Sequence, residues 1–391
     1  MTSAVTSPRL SARTIEILAE LRELADAPIG RTRAMPPAMY NSEEIYRLEV
    51  DRIIRKEWAC PGLAAEIPNA GDYMTFAIDT QPVFCIRGSD GQIRSFSNVC
   101  RHRQMVLLEG RGNLRRVVCP YHAWTYDETG KLIAAPYMQA TEGFSRNEIC
   151  LHGIRTEIWN GWIYITLNPG TAPIAEMIEP LHALVERYGI ETYIPIIHQE
   201  FTWRTNWKIL NENFMEGYHG PFAHRTSAGQ GFKVEDTRFG DQRYDTFTYH
   251  TFVRSPHASY GVAHPDNKRL DGQWRYTSVL PTVYPTHMYS LAPDYLWYLS
   301  SRPEGTGQLL IRLGIAIPPE IHASVSDLPA YKIRMEQFFN QVNGEDRIIV
   351  EGIYRNSFAP LASGGPISWL ERALHDFKVY LARRLTTELP I

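Results

Sequence analysis

Two short segments flanking residue 110 restrict this chain more than any other feature. Residues 100–124 read CRHRQMVLLEGRGNLRRVVCPYHAW. Cys100 and His102 stand one residue apart, sixteen residues follow, and Cys119 and His122 stand two residues apart. Two thiolates and two imidazoles on two loops make a metal site by residue type, and ligand count alone leaves two chemistries open. Zinc takes two Cys and two His as a closed tetrahedral structural site. A [2Fe-2S] centre can take two Cys on one iron and two His on the other. Each loop, contributing one of each, must then span both irons, which the tight spacings allow.

The setting of these ligands follows from the rest of the chain. Cys60, Cys85, Cys100, Cys119 and Cys150 are too few and too scattered over 391 residues for a disulfide framework, so cysteines beside histidines point to metal. A formal charge of -3 supplies no basic field that could follow a phosphate backbone, and nucleic acid is not an expected partner. The opening MTSAVTSPRLSARTIEIL lacks the apolar run of a signal peptide, and no window approaches the roughly 18 uncharged residues of a membrane span. A cytoplasmic location is expected, with no membrane contact. The length exceeds what one hydrophobic core usually supports, and the 44% hydrophobic content is ordinary for a globular chain, so two domains are expected.

Periodicity divides the chain in the same way. Leu10, Ile17, Leu18, Leu21 and Leu24 recur at helical spacing over residues 8–24, which predicts an N-terminal helix and an extended arm over residues 1–39. From about Tyr40 the pattern turns to short alternating runs, YMTFAI, PVFCIR, IRSFSNV, RRVVCPY and WIYITL, separated by GD, SDG, ETG and NG turn signals. These predict a small antiparallel β domain over 40–170. Pro and Gly at 168–175 mark a boundary, and the second domain, 171–391, carries strand-like runs at 197–203, 244–254, 275–283, 295–301 and 308–317. Two helices close the chain. The last is expected to begin near Pro366 and to place Ile367, Leu370, Leu374, Phe377, Leu381 and Leu385 on one face. The predicted class is α+β, an antiparallel sheet with helices across one side.

With their flanks, NVCRHRQMVLLEGRGN and CPYHAWTYDETGKLIAAP, the Cys-His loops resemble the cluster-binding loops of Rieske oxygenases. Respiratory Rieske proteins carry an additional cysteine in each loop. Here Arg103, Gln104, Met105, Pro120 and Tyr121 occupy those stretches, so the resemblance is to the ferredoxin and oxygenase branch. Gln104 departs from the Gly usual there. A second stretch, residues 206–224, NWKILNENFMEGYHGPFAH, resembles the mononuclear-iron motif of the same family, with His219 and His224 five apart and Glu212 and Glu216 upstream. A pair of histidines at that spacing is in itself unremarkable on a surface helix; two family motifs in the right order are specific. Non-haem iron oxygenases complete two His with one carboxylate, and VNGEDRIIVEG offers Asp346, with Glu345 and Glu351 nearby. Its ED-x4-E pattern resembles the branch acting on quaternary ammonium compounds, although Tyr354 stands where Gln is usual.

The resemblance covers about residues 40–385. It implies a Rieske [2Fe-2S] all-β domain followed by a helix-grip catalytic domain, with Cys100, His102, Cys119 and His122 on the cluster and His219, His224 and Asp346 on one Fe(II). Glu216 and Asn213 would act as catalytic-site residues, Glu216 bridging His219 to His122 of a neighbouring copy. A reductase, with or without a ferredoxin, would supply NAD(P)H-derived electrons, and the family commonly assembles as a trimer. Two substrate classes follow: an N-methyl carbon of a small quaternary ammonium compound, or an aromatic ring or aromatic acid. Tyr289, Tyr295, Trp297 and Tyr298 are either an aromatic box for a cation or ordinary sheet core. A non-catalytic Rieske electron carrier and a structural zinc protein are the readings outside the enzyme class. The intact protein is expected to carry about three irons and two acid-labile sulfides per chain; one zinc and no sulfide would contradict the iron reading.

Overall fold

The computed structural model describes residues 10–231 and 233–387. Positions 8 and 9 of the expected first helix lie outside them. Helix α1 (Ala12–Asp26) is opened by the Ser11 hydroxyl, which accepts the Thr14 N–H at 3.2 Å, and it buries Ile17, Leu18, Leu21 and Ala25. Leu10 and Leu24 are half-buried beside this stripe. The stripe packs on the C-terminal helix, so the two ends of the chain share one core.

Residues 40–54, expected to open the β domain, fall instead in a helical stretch (Ala38–Asn41, Glu43–Glu49 and Val50–Ile54), and the strands begin at Ala59: β1 (Ala59–Leu63), β2 (Asp72–Ile78), β3 (Gln81–Arg87), β4 (Ile93–Ser97), β5 (Arg111–Asn113), β6 (Val117–Val118), β7 (Thr125–Tyr126), β8 (Leu132–Ala134), β9 (Gly153–Trp159) and β10 (Trp162–Thr166). Seven form an antiparallel sheet in the order β1-β10-β9-β4-β3-β2-β5, and β6-β7-β8 form a small second one. Strands β9 and β10 meet at Trp159 and Trp162 across Asn160-Gly161. Both turn residues have positive φ, 45° and 81°, as a two-residue type I′ turn needs. A Cβ on Gly161 would also lie 2.9 Å from the Glu191 Cα, so the turn docks only as glycine. The run RRVVCPY yields only the two-residue β6, because the Cys119 N–H turns away to the Trp124 carbonyl.

The second half is one antiparallel sheet, β11 (Ile194–Trp203), β12 (Thr237–Phe239), β13 (Phe247–Val253), β14 (Thr277–Val283), β15 (His287–Leu291), β16 (Leu296–Pro303) and β17 (Leu309–Ile317), in the order β11-β17-β16-β15-β14-β13-β12. Alternation along its strands separates two cores. Leu299, Ile311, Leu313 and Ile315 face α2 (Trp207–Phe214), a single turn α3 (Gly220–Ala223), the long α4 (Leu328–Asn356) and α5 (Arg372–Thr386). Tyr289, Leu291, Leu296, Tyr298 and Ala316 face the other way, onto Trp162 and Tyr164 of the first sheet and onto Ile174, Leu181 and Tyr188. Both faces are therefore covered, with the first sheet closing one and helices the other. Arg312 pins the two halves: from β17 its guanidinium donates to the carbonyls of Pro61 and Thr75, each at 2.7 Å.

One boundary differs from expectation. The last helix begins at Arg372, not near Pro366, because Pro366 forms a β-bridge with Arg33 and the Ser368 hydroxyl caps a separate turn at Trp369–Glu371. Ile367 is half-buried ahead of the helix, while Leu374, Phe377, Leu381 and Leu385 keep the buried face.

The interface between the halves encloses His287, whose Nδ1 lies 2.8 Å from the Tyr164 hydroxyl and whose ring is T-shaped on Trp162. Burial pulls its pKa from the ordinary 6.5 down to about 3. The neutral ring favours folding fully above the unfolded value of 6.5, and that contribution is lost as pH falls toward 3. The slope reaches ~1.4 kcal/mol per pH unit for one proton. In urea titrations from pH 6.5 to 4, His287→Phe should show a shallower loss of stability with pH than the parent; parallel slopes would contradict this assignment.

Candidate metal centres

The two Cys-His loops are built alike. In the first, the Cys100 N–H donates to the Met105 carbonyl at 2.8 Å and the Gln104 N–H to the Cys100 carbonyl at 3.1 Å. In the second, Cys119 and Trp124 repeat the first bond at 2.8 Å, and Ala123 repeats the other at 3.0 Å. Each loop turns at the fourth residue after its cysteine through positive φ, 60° at Gln104 and 55° at Ala123. Gln104 therefore occupies a left-handed position, which accounts for the glycine usual there in the resembled family.

This geometry sorts the ligands. Cys100 and Cys119 are buried beside each other, burial and then the Cys100 thiol raising the Cys119 pKa, while the rings of His102 and His122 meet at 4.8 Å with His122 exposed. Like ligands pair across the loops, thiolates inward and imidazoles outward. A [2Fe-2S] rhomb held by Cys on one iron and His on the other requires that sorting, and a single tetrahedral ion does not. The Tyr126 hydroxyl lies 3.3 Å from the Cys100 sulfur, and Trp124 stacks on His102 at 4.7 Å. The residues present fit the cluster.

The second centre comes from two distant segments. Helix α2 ends at Phe214, and His219 and His224 then flank the one-turn α3, in which Gly220 and Pro221 follow His219 directly. Helix α4 brings Asp346 against them. The Nε2 atoms of His219 and His224 are 3.2 Å apart, and Asp346 Oδ1 lies 3.5 and 3.2 Å from them. Donor atoms at such separations can share one cation at bond lengths of about 2.1 Å, and these three residues form a group able to hold a metal ion.

The far side of each imidazole is held by a glutamate. Glu216 Oε1 lies 2.5 Å from His219 Nδ1, and Glu345 Oε2 lies 2.7 Å from His224 Nδ1. Both Nε2 atoms are thereby turned toward Asp346. Burial opposes charge on His219, yet Asp346 and Glu216 outweigh it and push the imidazole up to about 10. Burial opposes ionisation of Asp346 as well, and its hydrogen bonds with the two histidines outweigh that, holding the carboxyl down at about 2. Asn213 Nδ2 donates to Asp346 Oδ1 at 3.3 Å. Glu212 stands apart, half-buried and accepting the Tyr40 hydroxyl, its carboxyl raised to about 7 chiefly by desolvation. Glu351 accepts the Arg204 N–H and pairs with Arg347, and Asp294 takes the Gly261 N–H, so neither belongs to the triad.

The triad opens on a cavity of about 120 Å³ walled by Phe214, Tyr295, Trp297, Phe339 and, at one end, Arg254 and Tyr260. Of the four aromatics singled out in the sequence, Tyr295 and Trp297 line this cavity, whereas Tyr289 and Tyr298 belong to the core between the two sheets. Reading the sequence did not anticipate the role of Glu345, nor that His250, Arg254 and Asn343 line the cavity. The acidic doublet Glu345-Asp346 was the available signal for the first: adjacent helical residues point about 100° apart, so the pair can grip one imidazole from opposite sides.

Residues 186–387 match the family described as "Ring hydroxylating alpha subunit (catalytic domain)", and residues 57–145 match "Rieske [2Fe-2S] domain". The chain belongs to the ring-hydroxylating alpha-subunit family. It is 32% identical over 187 residues to the glycine betaine monooxygenase oxygenase subunit of Pseudomonas aeruginosa, 48% of this chain and 43% of that protein. The matched stretch thus spans under half of that relative. Over 255 residues it is 28% identical to the carnitine monooxygenase oxygenase subunit of Escherichia coli, 64% of this chain and 67% of that one. The quaternary ammonium Rieske monooxygenase CntA superposes with a TM-score of 0.79 at 21% identity, covering 93% and 98% of the two chains. Naphthalene 1,2-dioxygenase from Rhodococcus sp. gives 0.80 at 19%, covering 98% and 100%. Both share the fold, which therefore does not choose a substrate.

Two variants probe the triad. Asp346→Ala should leave the visible spectrum of the cluster unchanged while removing the additional iron. Glu345→Gln, which only loosens His224, should weaken iron retention by roughly 10- to 100-fold. Parental iron content in the alanine variant after dialysis against a chelator would contradict the assignment.

Proposed function

We propose that this chain is the terminal oxygenase of a Rieske system, receiving electrons from a reductase, with or without a ferredoxin, and hydroxylating a small organic substrate. The observation that carries the reading is the presence of two ligand sets of different design in one chain: sorted Cys and His pairs at 100–122, and two glutamate-backed histidines with Asp346 facing an apolar cavity. A pure electron carrier has no use for the second set. When bound at the triad, iron would supply the reductive activation of O2, placing one oxygen atom in a C–H bond and releasing the other as water with two electrons and two protons.

The chain's own residues account for the rest. Asn213 steadies the Asp346 carboxylate, and Glu216 and Glu345 fix the imidazoles. The aromatic walls exclude water and take the substrate. An apolar cavity of about 150 Å³ holds benzene, so about 120 Å³ suits a compact compound better than a fused ring system. Faces of Trp297, Tyr295 and Phe339 favour an alkylated ammonium. We therefore favour hydroxylation of an N-methyl carbon, with loss of that carbon as formaldehyde. The nearby relatives named for glycine betaine and carnitine support this choice.

Electron entry is assigned to a neighbouring copy, in a trimer. His122 is exposed among exposed Met105, Val118 and Tyr121, while Tyr218 and Phe222 are exposed beside His219. Such apolar residues around both centres favour contact between copies. In that contact Glu216 would accept a hydrogen bond from the neighbour's His122 while holding His219. Glu216→Gln should keep the cluster spectrum, reduction by the reductase and most of the triad iron. Its cluster should be reoxidised by O2 far more slowly in single turnover with substrate bound. Parental reoxidation and product formation would exclude the bridge.

A further inference from the structure

The glutamate behind His224 is itself held in place. Its Oε2 accepts from His224 Nδ1 at 2.7 Å and from the Ser227 hydroxyl at 2.5 Å, and its Oε1 accepts from the Gln341 amide at 3.2 Å. Gln341 stands about one helical turn before Glu345 on α4, and its amide also donates to the Thr226 hydroxyl at 3.2 Å. Donors from two distant segments thus occupy both carboxylate oxygens. The Glu345 side chain is 22% exposed, so without those donors rotamers facing water are open to it. Ser227 is buried, where a hydroxyl without a partner is costly, and Glu345 is the partner it has.

The backbone of the same segment rides on the turn that carries the ligands. The His224 carbonyl accepts the N–H groups of Ser227 and Gly229, at 3.1 and 3.0 Å, which draws residues 225–229 back over α3. Gly229 leaves no room there for a side chain. A Cβ would overlap the Gly220 carbonyl oxygen and lie 2.8 Å from that of His224. Both obstacles are backbone atoms, which cannot swing aside as the end of a long side chain can. Gly220 follows His219 directly, so Gly229 touches the turn between the two imidazole ligands. Ala228, between Ser227 and Gly229, is held by the Tyr260 hydroxyl, which donates to its carbonyl at 2.8 Å, and the Tyr260 ring packs on Phe338 of α4 at 5.8 Å. Side chains and backbone together fasten the histidine segment to the helix that brings Asp346. A segment free to move would have to be ordered on metal binding, at a cost to affinity.

We infer that residues 224–229 form a clasp that fixes His224 against Asp346, with Ser227 and Gly229 as positioning residues. Ser227 acts through Glu345, and Gly229 acts through the backbone of the ligand turn. This rests on the reading of the triad as the iron site and is independent of the substrate. Neither residue lines the substrate cavity or belongs to the triad, so their loss acts on the site only through the groups they hold.

The holoenzyme is mixed with a ferrous chelator and release of the triad iron is timed, while the visible spectrum of the cluster and the urea midpoint are followed on the same preparations. Ser227→Ala should release that iron roughly 10-fold faster than the parent with the cluster spectrum unchanged, and Ser227→Thr, which keeps the hydroxyl, should stay near the parent. In a Glu345→Ala background Ser227→Ala should add nothing, whereas Gly229→Ala should add its full factor, because the two act by separate routes. Parental release from Ser227→Ala, or a full additional factor from it on top of Glu345→Ala, would overturn the inference. So would a lowered urea midpoint with parental release, which marks a merely structural role. Should Gly229→Ala not fold, the Ser227 and Glu345 cycle decides alone. Asp346→Ala is the control: iron retained in it removes the triad reading itself, whereas iron lost in it but released at the parental rate from the Ser227 and Gly229 variants keeps the triad and removes the clasp.

Discussion

The seating of α4 across the second sheet is the contact on which the catalytic half depends. One face of this helix carries Phe339, Val342, Asn343, Asp346 and Val350, all buried, at helical spacing. Phe339 stacks on Trp297 at 5.5 Å and closes the cavity; Asp346 enters between two imidazoles; Val350 joins the common core. The Thr205 hydroxyl donates to the Val350 carbonyl at 3.0 Å and fixes the register of the helix against the strand end. A shift by one residue would turn Asp346 away by about 100° and leave two histidines facing each other without a carboxylate. Packing and metal binding are here the same constraint.

The sheet beneath α4 is shared between two tasks. Period-two alternation gives Tyr295, Trp297 and Leu299 to the cavity face and Leu296 and Tyr298 to the face that meets the first sheet. Arg312 crosses that boundary to the carbonyls of Pro61 and Thr75 and also pairs with Glu200 at 2.7 Å. The cluster-loop half is therefore docked through a buried polar and aromatic contact rather than tethered by a linker. The outward imidazole edge at His122 is thereby held at a set position on the surface, available to whatever delivers or receives electrons there.

Much of this was legible in the residues, and the limits have physical causes. Cys100, His102, Cys119 and His122, like His219 and His224, lie in local stretches whose spacing is itself the signal. Asp346 is more than a hundred residues from the histidine pair, so only a family pattern and the need for a third ligand singled it out. Strand β15 escaped notice because its residues, HMYSL, carry no β-branched side chain and no alternation, being buried on both faces. The last helix was read as starting too early because a proline near a helix start serves equally well in the extended bridge that Pro366 makes with Arg33. Glu345 acquires its role only through a contact between distant segments, with His224. Gln104 drew attention as a departure from glycine, and its positive φ gives the departure a physical meaning that composition alone could not.

The two ligand sets require that one chain hold a mixed-ligand cluster and a separate two-His, one-carboxylate iron. Mössbauer spectroscopy of protein loaded with 57Fe and reduced anaerobically tests it directly. Three iron environments of about equal area are expected: a thiolate-ligated and an imidazole-ligated iron within one cluster, and a high-spin ferrous site outside it. A cluster with two equivalent thiolate-ligated irons, or no ferrous component beyond the cluster, would contradict it.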